Sequence, residues 1–259
     1  MHQDQRAQAP LSSSDLLRFL RTGEITIKGR MPWSSNATFL VELARSDGES
    51  AQGGSTDGDS VGLERMHGVY KPGRGERPLW DFPDGLYRRE VAAWELSDML
   101  GWSLVPETVL RDGPHGEGSV QRFVDADFEQ HYFTLYEDPV YHEALRTICA
   151  FDLLINNTDR KSGHCLLGRD QHIYAIDNGL CFHPDPKIRT VIWEFGGEPI
   201  PSGLLGDIER CLEGLPGPLD PYLTHDEIDG IRRRGTHLLE RAGFPEADPS
   251  GRCYPWPLV

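Results

Sequence analysis

The chain has 259 residues, of which 38% are hydrophobic, and it carries a formal net charge of −15 at pH 7. This length and apolar content are sufficient for one large domain or for two lobes with a cleft between them. The negative charge disfavours nucleic acids and anionic membrane surfaces as partners, because both are themselves negatively charged.

The N-terminal part is predicted to begin with a disordered tail over residues 1–13, followed by a short helix over 15–21 that Ser14 caps. Apolar alternation then predicts three strands, over 24–28, 39–44 and 67–71. Residues 46–62 are rich in Gly, Ser and Asp and contain almost no apolar side chain. We therefore expect a mobile insertion there.

A long helix is predicted over 86–100, with Gly101 in the usual C-terminal capping position. Two further strands, over 105–111 and 119–124, follow it and are joined by a loop over 112–118. These elements predict a mixed sheet with a single helix packed on it.

Apolar periodicity predicts a buried helix over 141–154, and then a hairpin with strands at 165–167 and 173–176. Thr224 and Glu227 form a capping box that predicts a helix to about residue 242, and an irregular tail follows at 250–259. The expected fold class is α+β with two lobes. The β-rich N-lobe would cover 14–125, and the mainly helical C-lobe 126–259.

The five cysteines are widely spaced and contain no Cys-x-x-Cys pair. This pattern disfavours a disulfide framework and a structural zinc site, and it favours a reducing compartment. No apolar run approaches the ~18 residues that a membrane span needs, and the polar N-terminus lacks the apolar core of a signal peptide. We therefore expect a cytoplasmic protein without stable membrane association.

Two acidic residues lie in turn-like segments on either side of the predicted hairpin. Asp159 is in the segment Asn-Asn-Thr-Asp-Arg-Lys-Ser-Gly-His at 156–164, and Asp177 is in Ile-Asp-Asn-Gly at 176–179, a tight turn in which Gly179 is expected to supply the backbone freedom. Each segment alone is better explained as an ordinary polar turn, because these residues are common turn formers. Together, one hairpin apart, they favour phosphoryl transfer. That reaction uses one carboxylate to orient the attacking hydroxyl and another to hold Mg²⁺ on the phosphates.

The pattern Asn-x-x-Asp-Arg-x-x-x-His, followed by Ile-Asp-Asn-Gly, resembles the catalytic and metal-binding loops of the phosphatidylinositol 3-/4-kinase-like superfamily. That superfamily has an atypical protein-kinase fold and includes HipA-type serine kinases and atypical secretory-pathway kinases. The resemblance covers about residues 15–245 and is closest to an uncharacterised actinobacterial group. It implies that Asp159 is the catalytic carboxylate and that Asp177 binds the metal. His164 stands where this superfamily usually has a metal-binding Asn. The resemblance therefore implies that Asp177 and His164 together are the metal ligands.

The N-lobe contains residues for the remaining parts of such a site. A kinase needs a cation on the α- and β-phosphates that a helical Glu holds, and Lys71 with Glu90 matches this requirement. Glu95 is the other candidate on the helix, but it lies on a different side. No Gly-x-Gly-x-x-Gly occurs. The residues expected to bind nucleotide are, for the phosphates, Ser34, Ser35 and Asn36, and, for adenine through backbone groups, Gln121 and Phe123.

The function that these residues favour is an ATP-dependent kinase that transfers the γ-phosphoryl group to a hydroxyl. The expected cofactors are ATP and Mg²⁺ or Mn²⁺, and the acceptor is a protein or a small molecule. Two alternatives remain open, a nucleotide-binding pseudokinase with a regulatory role and a nucleotidyl transferase on the same fold. Zinc hydrolases and serine hydrolases are disfavoured, because neither His-Glu-x-x-His nor Gly-x-Ser-x-Gly occurs.

Overall fold

The computed structural model describes residues 13–32, 36–45, 65–248 and 252–259. The predictions for the tail at 1–12, for Ser34 and Ser35 and for the insertion at 46–62 lie outside these residues. In chain order the helices and strands are α1 (Ser13–Thr22), β1 (Glu24–Arg30), β2 (Phe39–Ala44), β3 (Arg65–Pro72), α2 (Leu86–Leu100), β4 (Thr108–Gly113), β5 (Gly116–Arg122), α3 (Tyr132–Tyr136), α4 (His142–Ile155), β6 (Cys165–Leu167), β7 (Ile173–Ala175), α5 (Ser202–Glu213) and α6 (His225–Arg241).

Strands β1 to β5 form one sheet in the order β1-β2-β3-β5-β4, and every neighbouring pair is antiparallel. The prediction of a mixed sheet is therefore wrong. The predicted loop at 112–118 is also too long, because β4 and β5 continue until Gly113 pairs with Gly116. Gly116 has a φ of 94°, a left-handed conformation that glycine adopts without steric cost and that allows so tight a turn.

Helix α2 has the predicted bounds and ends at Gly101, whose φ of 71° makes it a left-handed C-cap. Its buried residues, such as Ala93 and Leu96, belong to a large core that they share with α4, α5 and α6. The sheet and α1 form a separate core around residues such as Val41 and Tyr70. Helix α2 also contacts β4 and β5, so it lies between the sheet and the helical half of the molecule.

The helical half contains the predicted helix as α4 and the predicted hairpin as β6 and β7. The capping box of α6 is confirmed, since Thr224 N donates to Glu227 Oε2 at 2.8 Å and Glu227 N donates to Thr224 Oγ1. Helices α3 and α5 were not predicted. Helix α3 has only five residues, and the first turns of α5 contain Gly203 and Gly206, which weaken a helical signal.

Residues 252–259, the C-terminal segment, contain no helix or strand, as predicted for that part of the tail. Two backbone hydrogen bonds attach the segment to the helical half. Ser162 N donates to Leu258 O at 2.8 Å, and Thr190 N donates to Cys253 O at 3.0 Å. The segment therefore lies against the loop that follows α4. Within the part of the chain that the structure describes, no helix has the length and apolar character that crossing a bilayer requires.

Candidate active site

A cavity of about 400 Å³ lies between the sheet, α2 and the loops on either side of the β6–β7 hairpin. It brings together most of the described residues that the sequence predicted for the site, namely Asn36, Lys71, Glu90, Gln121, Asp159, His164 and Asp177. Apolar side chains, including Val69, Leu86 and Ile176, form the rest of its wall. A concave site with apolar walls and a few converging polar groups is typical of small-molecule binding.

Lys71 lies at the centre of the polar cluster, next to the last residue of β3. Its Nζ contacts Glu90 Oε1 and lies 2.7 Å from Asp177 Oδ1. Burial disfavours the charged amine, but the carboxylates of Asp177 and Glu90 outweigh it and hold the pKa of Lys71 above its ordinary value. Lys71 is therefore a cation that links the sheet to α2 and to the loop after β7.

Glu90 is buried on α2 and is held from two sides. One carboxylate oxygen contacts Lys71, and the other accepts a hydrogen bond from Asn178 N at 3.1 Å. Burial raises the pKa of Glu90, and the charge of Lys71 opposes that rise. Glu90, and not the alternative candidate Glu95, is thus the helical partner of Lys71, and it also contacts the backbone beside Asp177.

The loop at 176–179, here called the Asp177 loop, differs from its prediction in one respect. Gly179 was expected to provide the backbone freedom of the turn, but the left-handed residue is Asp177 itself, with a φ of 58°. A non-glycine residue in this region is uncommon and often marks a functional position. Gly179 instead lies close to α2, where an added Cβ would be 3.3 Å from Glu90 Oε1, a tight contact.

Asp159 lies in the loop at 156–164, here called the Asp159 loop, and faces the same cavity. Its amide donates to Asn157 Oδ1 at 2.9 Å, a local bond that holds the turn. Lys161 Nζ lies 3.2 Å from Asp159 Oδ2. Burial raises the pKa of Asp159, while Lys161 acts in the opposite direction. The result is a partly buried carboxylate with one cationic neighbour, which suits it to orient a hydroxyl or accept its proton.

The two predicted metal ligands are neighbours, with His164 Nε2 3.4 Å from Asp177 Oδ2. Burial lowers the pKa of His164 to about 4, so the imidazole is neutral at pH 7. Its Nδ1 accepts a hydrogen bond from Lys161 N at 3.4 Å, which assigns the ring proton to Nε2, facing Asp177. In this tautomer the Nε2–H of His164 is on the side of Asp177, with Nε2 3.4 Å from Oδ2, and His164 presents no free lone pair there.

Across the described ranges, no group of three or more His, Cys, Asp or Glu side chains is arranged to hold a metal ion. A zinc site needs three or four protein ligands, so the described residues do not fit zinc. A single carboxylate such as Asp177 does fit Mg²⁺ or Mn²⁺, since Mg²⁺ commonly takes one or two carboxylates and completes its shell with water and substrate phosphates. Asp177 supplies a half-exposed carboxylate for this purpose.

A buried network that the sequence analysis missed surrounds Arg160. The Arg160 side chain is fully buried and lies 2.9 Å from Asp152 of α4. It also donates to Ile176 O at 2.6 Å and to Asn178 Oδ1 at 2.7 Å. Arg160 is adjacent to Asp159 in the chain, so this one side chain connects the Asp159 loop to the Asp177 loop.

Asp152 accepts further hydrogen bonds, from Asn157 Nδ2 at 3.1 Å and from Thr190 Oγ1 at 3.0 Å. It therefore fixes the start of the Asp159 loop and the segment that packs against it. The sequence did contain a signal for this role, since Asp152 is a carboxylate in the middle of an apolar helical pattern. A buried charge needs a partner, and Arg160 is the partner that the structure provides.

The structure separates the two residues predicted for adenine. Phe123 does not line the cavity, because its ring lies against His67 and Phe128, and its N–H donates to His67 O. Gln121 does line it, but the side-chain amide of Gln121 donates to Thr108 Oγ1 at 2.9 Å. Phe123 therefore lies outside the wall of this cavity, and its N–H is already paired.

On the opposite wall, Asn36 Oδ1 accepts a hydrogen bond from Arg77 N at 3.0 Å. This contact ties the turn between β1 and β2 to the loop after β3. The cavity wall also includes Lys161 and Tyr87, which the sequence analysis did not select. Lys161 could have been found from its place two residues after Asp159, whereas nothing local in the sequence marks Tyr87.

No protein-family model matches the chain. Among solved structures, the chain is similar to the Golgi casein kinase with Mn/ADP bound, with a TM-score of 0.51 and 16% identity over 95% of this chain and 80% of that one. A structure of hydra Fam20 with sugar gives a TM-score of 0.49 at 14% identity, covering 88% of each chain. The first likeness concerns the fold alone, and that fold is the two-lobed, protein-kinase-like α+β fold that the sequence predicts.

A curated protein gives a match at the level of sequence. Protein Rv2133c of Mycobacterium tuberculosis is 39% identical to this chain over an alignment of 277 positions, which covers 92% of this chain and 93% of that protein. Identity of this size over nearly the full length of both sequences indicates common descent and a shared fold. The chain therefore belongs to the family of the mycobacterial protein Rv2133c.

Proposed function

We propose that this chain is a metal-dependent phosphotransferase that transfers the γ-phosphoryl group of ATP to a hydroxyl of a protein or a small molecule. The observation that carries the proposal is the position of Lys71 Nζ, which contacts Glu90 and Asp177 inside the cavity that Asp159 also lines. A cation held by a helical Glu and two separate Asp residues are the parts that kinase-type phosphoryl transfer uses. The motif likeness to the phosphatidylinositol 3-/4-kinase-like superfamily supports the same reaction.

In this mechanism Lys71 binds the α- and β-phosphates, and Glu90 keeps its amine in place. The raised pKa of Lys71 ensures that the amine is charged at neutral pH. Asp159 orients the acceptor hydroxyl and accepts its proton, for which a pKa raised by burial is favourable. Asp177 would hold Mg²⁺ or Mn²⁺, which neutralises charge on the phosphates. The neutral ring of His164 lies beside the second oxygen of Asp177, with Nε2 3.4 Å away.

The net charge of −15 bears on the acceptor. A strongly acidic surface is repelled by an anionic bilayer, and basic clusters are what usually bring proteins to such lipids. The charge therefore favours a protein hydroxyl or a soluble small molecule over a lipid headgroup. A transfer assay against fractionated cell lysate, with lipids and soluble material tested separately, checks this part of the proposal.

The central experiment measures nucleotide binding and transfer with the full chain. We expect ATP with Mg²⁺ or Mn²⁺ to raise the melting temperature, and label to pass from γ-labelled ATP to an acceptor. Asp177→Ala should abolish the metal-dependent shift and the transfer. Asp185→Ala is the matched control, because Asp185 is an exposed carboxylate a few residues further along that makes no side-chain hydrogen bond within the described residues. Unchanged transfer in Asp177→Ala would refute the assignment.

A nucleotide-binding pseudokinase is the second candidate, and the position of His164 favours it. His164 occupies the place of the usual metal-binding Asn, and in its assigned tautomer it presents an N–H, not a lone pair, on the side of Asp177. The pseudokinase is supported if ATP binds but no label is transferred from either α-labelled or γ-labelled ATP. Transfer of label from α-labelled ATP would instead identify nucleotidyl transfer on the same fold.

A further inference from the structure

A buried ion pair attaches α2 to α6 at the residue that precedes Glu90. Arg89 Nη2 donates to Glu227 Oε1, and the two side chains are only 5% and 4% exposed. Arg89 Nη1 donates to Asp84 O at 3.2 Å, and the guanidinium lies 5.2 Å from the centre of the Phe82 ring. Arg89 is thus held by the helical half of the molecule and by the loop that leads into α2.

The acidic partner is itself immobilised. Glu227 occupies the third position of α6, where its Oε2 accepts hydrogen bonds from Thr224 N at 2.8 Å and from Thr224 Oγ1 at 2.9 Å. The next buried residues of the helix, Ile228 and Ile231, belong to the large core. Glu227 cannot move without disrupting the first turn of α6, so it is a rigid anchor for Arg89.

Stability alone does not account for this pair. Replacing a buried ion pair by apolar residues of similar volume is often neutral or even stabilising. Arg89 also has a buried Nε without a hydrogen-bond partner among the described residues, which adds a cost. Helix α2 already buries apolar residues such as Val91, Ala92 and Leu96 along its length. The ion pair adds a specific constraint, since it fixes the rotation of α2 about its axis and the position of α2 along that axis at one point.

We propose that Arg89 and Glu227 are positioning residues that set Glu90 in place before any nucleotide binds. Glu90 follows Arg89 directly and must reach both Lys71 Nζ and Asn178 N from a single helix position. The inference rests on the proposed roles of Lys71 and Glu90. It adds that their alignment comes from a permanent contact between α2 and α6, so no separate activating event is needed to bring α2 into position.

The amide of Asn178 provides a test that requires neither nucleotide nor metal, because its hydrogen bond ends on Glu90 Oε2. Hydrogen exchange of this amide is measured in the full chain and referenced to amides of β2. Arg89→Met should increase the exchange rate at least tenfold, and Glu90→Ala, which removes the acceptor, should increase it to a similar extent. The double variant should exchange no faster than Glu90→Ala alone, because Arg89 acts through Glu90.

Arg232→Met is the matched control. Arg232 is on the same helix as Glu227 and pairs with Asp229, but both side chains are about half exposed. This control should leave the exchange of Asn178 unchanged. If Arg89→Met does not fold, Glu227→Gln tests the same pair, since it removes the charge and keeps a side chain that can bond to Thr224.

An unchanged exchange rate of the Asn178 amide in folded Arg89→Met, or in Glu227→Gln, overturns the proposal. The proposal is also overturned if the rate increases caused by Arg89→Met and Glu90→Ala multiply in the double variant. Failure of the proposed function is seen separately, as the absence of a nucleotide-dependent melting shift in the unchanged chain. Where turnover is present, Arg89→Met should lower kcat about tenfold and Arg232→Met should not change it.

Discussion

Asp152 and Arg160 are both fully buried and lie 2.9 Å apart, and their pairing joins α4 to the two loops that carry Asp159 and Asp177. The hairpin β6–β7 brings these loops near each other, but the Arg160 side chain contacts both of them directly. The spacing of the two carboxylates in the cavity therefore depends on a side-chain network beneath the site as well as on the strands beside it.

Arg160→Met should reduce the free energy of unfolding by about 3–5 kcal/mol, because it leaves the Asp152 carboxylate buried without its cation. Urea denaturation at pH 7 measures the loss. Arg169→Met is the control, since Arg169 and Asp125 form a pair whose side chains are 74% and 73% exposed. That control should change the stability by about 0.5 kcal/mol or less. Equal losses in the two variants would contradict the argument from burial.

Asp159→Asn and Asp177→Asn should separate chemistry from binding. Asp159 faces the cavity without contacting Lys71, whereas Asp177 lies 2.7 Å from Lys71 Nζ. We expect Asp159→Asn to keep the metal-dependent melting shift with ATP and to lose about 100-fold or more in turnover. Asp177→Asn should lose both. Thermal-shift titrations and initial rates on the same preparations provide the comparison, and a retained shift in Asp177→Asn would count against its role.

Gly179→Ala should be costly because the added Cβ would lie 3.3 Å from Glu90 Oε1, which is tighter than an ordinary van der Waals contact. Glu90 is held by two partners and cannot retreat, so we expect a loss of about 1–3 kcal/mol and a matching loss of turnover. Gly203→Ala in α5 is the control, since a Cβ there meets nothing within 4 Å. It should stabilise the protein by about 0.5–1 kcal/mol. Thermal denaturation measures both changes, since Gly179→Ala should lower the melting temperature and Gly203→Ala should raise it.

All five cysteines are buried and free. Burial raises the pKa of Cys165 to about 12 and that of Cys211 to about 11, so both thiols are protonated at pH 8. Only the thiolate is strongly nucleophilic. The native protein should therefore show no fast-reacting thiol with Ellman's reagent at pH 8, and the unfolded protein should show five. Fast reaction of any thiol in the native state would indicate a more open fold.

Local signals were sufficient to predict several features correctly. The bounds of α2 follow from an apolar period that ends at Gly101, and the start of α6 follows from the Thr224 and Glu227 capping box. The sequence analysis also assigned Lys71, Glu90 and Asp177 to one site, and the three side chains do meet in the cavity.

Other features depend on contacts that no local pattern contains. Arg89 and Glu227 are 138 residues apart, and a charged residue on a helix is ordinarily exposed, so nothing in the sequence marks them as a buried pair. The antiparallel order of the sheet likewise depends on how the strands meet. The left-handed backbone of Asp177 was missed because the neighbouring Gly179 is statistically the better candidate for that conformation.

The attachment of Leu258 O to Ser162 N has a consequence for the Asp159 loop. Ser162 is three positions after Asp159, so this bond ties the end of the Asp159 loop to the C-terminal segment. A change that displaces Leu258 would leave the Ser162 amide without this acceptor, and the loop that carries Asp159 would lose one of its backbone restraints.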